Sequence, residues 1–356
     1  MIKKRILTIL SSILVPALVG GIILKVFGYD PIEGYTALFR GAFIGKLNFG
    51  TTLERFGPIL FLGLAFAITI KAKYFNIGAE GAFYVGALAA AGVGQIVGLP
   101  AIIHIPLTLL SGMVIGAIWQ AVPGYLRAVH DVNEAVSTIM LNFVAILLSD
   151  YFILEVWEEI TIASGRSKTI QTTAQFAQIL KPSRVNTGII FVILAVFFTY
   201  WLVHKTRFGF KLRSMGFNPF FASYVGFDVK KTLIIATAIS GALAGLAGSV
   251  ETMGTYYSMW LQFSSGTAFD GLLASLIAGN DIRFLPLTAF MIAAFKAGAA
   301  GMERMTGIPK ALIDMFVPIL IILLSMKQLY DISEIWEKIK KRLSRKPTEK
   351  NVITEG

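Results

Sequence analysis

The chain contains no cysteine, and charged side chains are scarce in it. Without cysteine it can form neither a disulfide framework nor a thiolate site. Charged residues make up 15% of the 356 positions, whereas a soluble domain has about 25%. Apolar residues make up 55%, and the mean hydropathy is +0.71. This composition excludes an ordinary soluble globular protein.

Histidine is also rare, and the histidines are isolated. His104, His130 and His204 lie far apart, and none has a second histidine at metal-ligand spacing. The net charge of +11 could indicate nucleic-acid binding, but no basic face outside the apolar runs is interleaved with base-stacking aromatics. Lys and Arg also collect in the cytoplasmic loops of membrane proteins. The sequence therefore indicates no metal site, no directly bound cofactor and no nucleic-acid partner.

The apolar residues occur in blocks close to the length of about twenty at which a helix crosses a bilayer. They predict an all-α integral membrane protein with about ten transmembrane helices in one domain over 1–326. Two short windows, 56–70 and 267–280, could instead be broken or re-entrant. The first apolar stretch is too long for a signal peptide and is expected to be a retained span. The windows lie at 6–27, 56–70, 79–98, 101–121, 134–156, 186–203, 232–253, 267–280, 284–301 and 311–326.

The basic residues predict the orientation. If Met1 lies inside and the windows cross alternately, most Lys and Arg fall on the inner side, as the positive-inside rule requires. Both termini are therefore expected to be cytoplasmic. Residues 327–346 show helical apolar spacing and predict an amphipathic helix on the inner leaflet. Residues 347–356 are expected to be a disordered tail.

A polar, glycine-rich segment interrupts two apolar runs at 74–81, "YFNIGAEG". Asn76 is predicted to cap the next helix, and Glu80 in its first turn would meet the positive end of the helix dipole. Gly78 and Gly81 remove side-chain bulk, so another helix or a solute can approach the backbone. The segment is either a tight inner turn or a broken helix that lines a polar path.

Lys296 lies inside an apolar window, where a lysine costs about 2.5–3.5 kcal/mol on insertion scales. It either snorkels to the outer surface or faces the interior and pairs with a carboxylate. The candidate carboxylates are Glu80, Asp270 and Asp314. We expect Asp270, because it lies on an adjacent predicted span.

Small and amide side chains elsewhere predict contacts between helices. Gly241, Gly245 and Gly248 form ridges of small residues on one window. Such ridges are typical of close helix packing, here within the chain or against a second chain. Asn142 and Gln120 could line a polar path or hydrogen-bond between helices.

The longest basic inner loop, 204–231, contains signals for a short helix. Asn218 is a favourable N-cap, and Pro219 suits the first helical position. Gly226 can end the helix in a left-handed conformation. The loop therefore predicts about two helical turns over 219–225.

Three aromatic residues, Phe217, Phe221 and Tyr224, would share one face of this helix. The helix could rest on lipid as an interfacial element. Alternatively, it could insert into a groove of a partner, because exposed apolar anchors bounded by charge mark docking surfaces.

Three motifs carry a resemblance to a known family: "FNIGAEG" at 75–81, "RSMGFNPFFASYVGF" at 213–227 and "SGALAGLAGSVETMG" at 240–254. Together they resemble the permease subunits of bacterial ABC importers for branched-chain amino acids, simple sugars and nucleosides. The first motif is most similar to the nucleoside branch, which is served by basic-membrane-protein lipoprotein receptors. The resemblance covers most of 50–330. It departs from the family at Ala82, where relatives often have glutamine.

The resemblance implies partners and residue roles. The expected partners are an ATPase, often with two fused nucleotide-binding domains, that uses ATP and magnesium, a second and different permease, and a lipid-anchored extracellular receptor. The location would be the bacterial plasma membrane. Pathway or gating roles are expected for Asn76, Gly78, Glu80, Gly81, Asp270 and Lys296. The expected coupling-helix residues are Arg213, Gly216, Phe217, Asn218, Pro219, Phe221, Ala222, Tyr224 and Gly226.

The resulting hypothesis is a transport subunit, and not an enzyme, that translocates nucleosides by alternating access. Nucleosides are neutral, so no charged specificity residue is required. A ribose-like sugar is the alternative solute of the same machine. A secondary transporter would instead couple ions through Glu80 or Asp270. An integral-membrane enzyme would need clustered catalytic residues, which the sequence does not show.

Overall fold

A computed structural model describes residues 18–157, 165–264, 266–309 and 311–312. The predictions for 327–346 and 347–356, and nearly all of the window 311–326, lie outside the described residues. The longer elements are all helices. They are α1 (18–26), α2 (Pro31–Phe43), α3 (Lys46–Lys71), α4 (Ala79–Gly94), α5 (Ala101–His130), α6 (Glu134–Tyr151), α7 (Ile189–Lys205), α8 (Arg207–Phe217), α9 (Pro219–Tyr224), α10 (Val229–Glu251), α11 (Thr267–Ile277) and α12 (Leu285–Thr306).

Two very short strands, β1 (Gln178–Leu180) and β2 (Val185–Asn186), pair antiparallel between α6 and α7. Within the described ranges, five helices are long and apolar enough to cross a membrane. The number is six if α7 and α8, which meet at 69°, count as one bent span. The chain is therefore a multi-pass, all-α membrane protein. Ten spans and cytoplasmic termini stay predictions.

The window 56–70 belongs to one uninterrupted helix, so the alternative of a broken or re-entrant segment there does not hold. Helix α3 has 26 residues, about 39 Å at 1.5 Å per residue, which is enough to cross the ~30 Å hydrocarbon core. The apolar window is shorter than the helix because the first turns of the helix carry polar and charged residues. Pro58 lies inside this helix without ending it.

Two apolar helices are too short to cross a membrane. Helix α4 has 16 residues and α11 has 11, about 24 and 16 Å. Each follows non-helical backbone, at 72–78 and 257–264 respectively. The window 267–280 is therefore broken, as one of the two sequence interpretations held.

Both short helices begin in the middle of the bundle. Asn76, just before α4, contacts Ser240, which lies midway along α10. Gly271, in the first turns of α11, lies against Gly63 in the second half of α3. Since α3 and α10 are full-length helices, the N-termini of α4 and α11 lie at half depth.

The two half-helices occupy equivalent places in two oppositely directed units. Helix α4 packs against α5 and α10, whereas α11 packs against α3 and α12. Each unit thus consists of a long helix, a half-helix and a second long helix. These are α3, α4 and α5 in the first unit and α10, α11 and α12 in the second. Transporters built from inverted repeats place their solute sites where such broken helices meet. The sequence alone shows no convincing long-period repeat.

We call the end of the bundle that contains Lys71 and α9 the lower end, and the opposite end the upper end. These two features are adjacent, because Gly216, just before α9, packs against the carbonyl oxygen of Lys71. Helix α4 runs from half depth to the upper end, and α11 runs from half depth to the lower end.

The predicted small-residue ridge packs helices of this chain together. Gly241 and Gly245 meet the backbone of α5, at Gly116 and Gly112. Gly248 meets the backbone of α4 at Phe83 and Ala87. A methyl group at any of the three would collide with backbone atoms. The ridge therefore lies within the chain and does not face a second one.

Candidate functional site

The last part of the non-helical segment before α4, residues 76–78, is largely buried, whereas Lys73 and Phe75 are exposed. Side chains of other helices hydrogen-bond to its backbone. Asn142 on α6 accepts a hydrogen bond from the Gly81 amide at 2.8 Å and donates one to the Ile77 carbonyl at 3.0 Å. Asn76 is only 1% exposed. This is the geometry of a broken helix at membrane depth, where protein groups must satisfy the freed backbone. The alternative, a tight turn at the inner surface, does not fit these contacts.

The predicted cap of α4 is wrong in one detail. The N-cap residue is Gly78 and not Asn76. The Asn76 side chain accepts a hydrogen bond from the Gly78 amide at 2.8 Å, so it stabilises the turn that precedes the helix. The side-chain amide nitrogen of Asn76 donates to Ser240 of α10, a contact distant in sequence.

Glu80 joins the two half-helices. It lies in the first turn of α4, as predicted, but its carboxylate reaches the start of α11. One oxygen accepts from the Ser264 hydroxyl, and the other accepts from the Ala268 amide at 2.9 Å. Glu80 is 6% exposed. A negative charge between two helix N-termini is stabilised by both dipoles.

Lys296 pairs with Asp270 across the helix junction. Its Nζ lies 3.1 Å from Asp270 Oδ1, and the two side chains are 14% and 8% exposed. The expected pairing is confirmed, and snorkelling of Lys296 to the outer surface is wrong. Because Asp270 lies in the first turn of α11, this ion pair ties the half-helix to α12.

A cavity of about 190 Å³ lies above this junction, between α3, the upper end of α10 and the start of α11. Its charged lining residues are Glu54, Arg55, Glu251 and Asp270. Sequence reasoning missed the first three. Glu251 carried an available signal, because it is a carboxylate inside an apolar window. Within the described part of the chain, no three His, Asp or Glu side chains gather closely enough to hold a metal ion.

The short helix predicted in the basic loop is present as α9. Asn218 caps it by accepting a hydrogen bond from the Phe221 amide at 3.0 Å, and Pro219 occupies its first position. Gly226 follows with a φ of +87°, a conformation that L side chains rarely adopt. The cap, the proline position and the glycine stop are all confirmed.

The aromatic side chains around α9 project from the protein. Phe217, Phe221 and Tyr224 are 85%, 61% and 90% exposed, whereas Ala222 is fully buried and holds the helix in place. Sequence reasoning missed Phe220, which is 86% exposed. Three of these rings, those of Phe220, Phe221 and Tyr224, lie on α9, and Phe217 ends the preceding helix α8. Together they form an exposed aromatic surface suited to docking.

Arg213, Gly216 and Phe217 lie in the preceding helix, α8, and not in the coupling helix itself, so their assignment to that helix is wrong. The Arg213 guanidinium donates to the Val203 carbonyl of α7, and Gly216 approaches the Lys71 carbonyl. Lys73 adds a contact from its Nζ to the Phe217 carbonyl at 3.4 Å. These residues fix α8, and hence α9, against the lower end of the bundle.

Residues 48–326 match the protein family described as branched-chain amino acid transport system, permease component. The chain belongs to this family. The resemblance drawn from the three motifs is thus confirmed, and the protein is a transport subunit and not an enzyme.

Individual relatives match almost the whole permease. It is 34% identical over 347 residues to the guanosine ABC transporter permease protein of Bacillus subtilis, covering 96% of this chain and 99% of the relative. It is 30% identical to the nucleoside ABC transporter permease protein of Lactococcus lactis, covering 92% and 93%. The glucose ABC transporter permease protein of Haloferax volcanii is 29% identical, covering 91% and 87%.

Proposed function

We propose that this permease is the transmembrane subunit of an ATP-driven importer that moves nucleosides across a bacterial plasma membrane by alternating access. The observation that carries the solute assignment is the 34% identity to a guanosine permease over 96% of the chain. A second relative of similar coverage is named a nucleoside permease. Sugar import remains the second candidate, because the Haloferax relative is named a glucose permease.

The junction of the two half-helices supports a solute path at this place. Half-helix N-termini at half depth can serve a polar solute that lipid would reject. Here Glu80, Asp270 and Lys296 gather around the junction, and a polar cavity opens above it. Charged groups are costly inside a membrane, so their presence at the junction supports a functional role there. Asn76, Gly78 and Gly81 hold the non-helical backbone beside them.

The coupling helix α9 has a direct route to this junction. Only four residues separate α9 from α10, which begins at Val229. Asp228 caps α10 by accepting from the Lys231 amide at 2.9 Å. Helix α10 in turn packs against α4 and α5. A displacement of α9 by a partner would therefore shift α10 relative to the half-helix that carries Glu80.

ABC permeases work with an ATPase and a solute-binding protein. In our proposal, the ATPase binds the projecting rings of α9 and hydrolyses ATP with magnesium, and its two nucleotide-binding domains are fused. A homologous but different permease completes the pore, and a lipid-anchored receptor delivers the nucleoside outside. The permease itself then binds no cofactor.

The test is uptake of labelled guanosine, adenosine, uridine and ribose by cells that express the permease with its neighbouring transport genes. Cells lacking only the permease gene are the control. We expect permease-dependent nucleoside uptake that stops when ATP is depleted. Ribose uptake alone would move the assignment to sugars. Uptake that survives ATP depletion while an ion gradient persists would indicate a secondary transporter and contradict the proposal.

A further inference from the structure

The cavity above the half-helix junction has a lining suited to a particular part of a solute. Carboxylates come from Glu54 on α3 and Glu251 at the end of α10, and Arg55 supplies a guanidinium. Glu251 is 7% exposed, and its side chain is hydrogen-bonded to Thr255. Carboxyl oxygens accept hydrogen bonds. A solute that brings hydroxyl donors therefore suits this lining.

Arg55 points to a missing polar partner in the same place. Its Nε is buried and has no hydrogen-bond partner among the described residues. A buried donor without a partner costs about 1–3 kcal/mol. Glu54, by contrast, already accepts from the Arg184 amide. Because the Arg55 side chain lines the cavity, the cavity offers both a guanidinium donor and carboxyl acceptors to a solute.

The charge of the lining does not favour a phosphorylated solute. The carboxylates of Glu54 and Asp270 are balanced by the guanidinium of Arg55 and by the ammonium of Lys296, which pairs with Asp270. The lining therefore has no excess of positive charge to hold a phosphate. A neutral group with several hydroxyls suits it better.

One wall of the cavity is aromatic. Phe83 and Phe263 have ring centroids 4.8 Å apart, and the ring of Tyr256 lies 6.3 Å from that of Phe263. All three line the cavity. Aromatic faces are where nucleobases stack. The polar and aromatic walls thus match the two halves of a nucleoside.

The volume of the cavity determines which half of a nucleoside fits inside it. The cavity volume is about 190 Å³, below the ~300–1,000 Å³ typical of sites that enclose a whole drug-sized ligand. A pentose fits such a volume, and a complete nucleoside does not. The base would remain at the aromatic edge.

From this arrangement we infer that the cavity is a transient pentose subsite, in which Glu251 and Glu54 accept hydrogen bonds from the 2′ and 3′ hydroxyls of a ribonucleoside and Arg55 donates to a sugar oxygen. The inference rests on the proposed nucleoside import. It makes the permease select ribonucleosides over deoxyribonucleosides, independently of its receptor.

The test compares the wild-type permease with a Glu251→Gln variant, both with the same receptor and ATPase. Unlabelled guanosine, 2′-deoxyguanosine and 3′-deoxyguanosine compete against labelled guanosine uptake. In the wild type we expect each of the two deoxy analogues to compete about 10- to 100-fold less well than guanosine, because each hydrogen bond to a charged group contributes about 1.5–3 kcal/mol. In Glu251→Gln this discrimination should fall at least several-fold. Glu33→Gln is the matched control, because Glu33 is exposed on α2 and does not line the cavity.

The outcomes separate the two proposals. Absence of any nucleoside uptake in the wild type would overturn the proposed function. Nucleoside uptake with the same discrimination in Glu251→Gln as in the wild type would overturn only the pentose subsite, since the receptor then sets the preference.

A second measurement needs no variant. The purified wild-type permease, without receptor, is heated with each nucleoside at millimolar concentration. We expect a larger rise in unfolding temperature with guanosine than with either deoxy analogue, since a ligand that binds the native state stabilises it. Equal shifts, or no shift with any nucleoside, would overturn the subsite.

Discussion

Replacing Lys296 by Met should destabilise the permease, because it leaves Asp270 charged and without its buried partner. The two side chains are 14% and 8% exposed, so water cannot take the place of the ammonium. Removing one partner of a buried ion pair costs about 3–5 kcal/mol. We expect a loss of that order in the free energy of unfolding, and a similar loss for Asp270→Asn.

The double variant Lys296→Met with Asp270→Asn should recover much of this loss. Replacing both members of a buried pair by uncharged groups is often close to neutral, so we expect the double variant to lie within about 1–2 kcal/mol of the wild type. Unfolding of the purified protein by sodium dodecyl sulfate, followed by the fluorescence of its 5 tryptophans, measures all four proteins. Single-variant losses that simply add in the double variant would refute the reasoning.

An exposed ion pair of the same chain provides the control. Arg127 and Asp131 lie 2.7 Å apart, but the Asp131 side chain is 88% exposed. Surface pairs contribute about 0–1 kcal/mol. Asp131→Asn should therefore change the free energy of unfolding by no more than this, and asparagine also tolerates the left-handed backbone found at this position, φ +54°.

Three further changes test other contacts. Gly245→Ala should lower the free energy of unfolding by about 1–3 kcal/mol through a clash with α5, whereas Gly57→Ala should be harmless, because its new methyl group would have one neighbour, at 3.5 Å. Asn142→Ala should cost about 1–3 kcal/mol for each of the two backbone groups it leaves unpaired; a thermal unfolding curve like that of the wild type would contradict the described hydrogen bonds. Phe220→Asp should weaken co-purification of the ATPase by tenfold or more, as expected for a desolvated aromatic anchor. Phe197 is also an exposed phenylalanine, but it lies on α7. Phe197→Ala should leave co-purification of the ATPase unchanged, and equal retention of the ATPase by both variants would contradict docking at α9.

Local rules were sufficient for the parts of the fold that depend on nearby residues. Asn218 and Gly226 enclose α9 through contacts within a few positions, so capping chemistry predicted both of its ends. The apolar windows likewise predicted the long helices. The helix α8 was missed because its mixed composition gives no apolar run, although Thr206 caps its first turn by accepting from the Gly209 amide.

The half-depth junction depends on contacts that no local pattern encodes. Glu80 accepts a hydrogen bond from Ser264 across 184 positions, and Asn76 donates one to Ser240 on α10. Lys296 was the exception, since a lysine inside an apolar window demands a carboxylate partner wherever the chain can supply one. Its cost made the pairing predictable, whereas the weaker hydrogen bonds of the junction were not.

The absence of cysteine allows one direct measurement of the central claim, that solute passes beside the junction. Thr267, at the start of α11, lines the cavity; a Thr267→Cys permease would carry a single thiol there. Treatment with a small, charged thiol reagent should reduce its guanosine uptake relative to the untreated variant, and guanosine added beforehand should slow the reaction. Phe143→Cys, at a position 58% exposed on α6, should show no protection. Complete modification of Thr267→Cys with no loss of uptake, or a reaction rate that guanosine does not change, would contradict a solute path through this cavity.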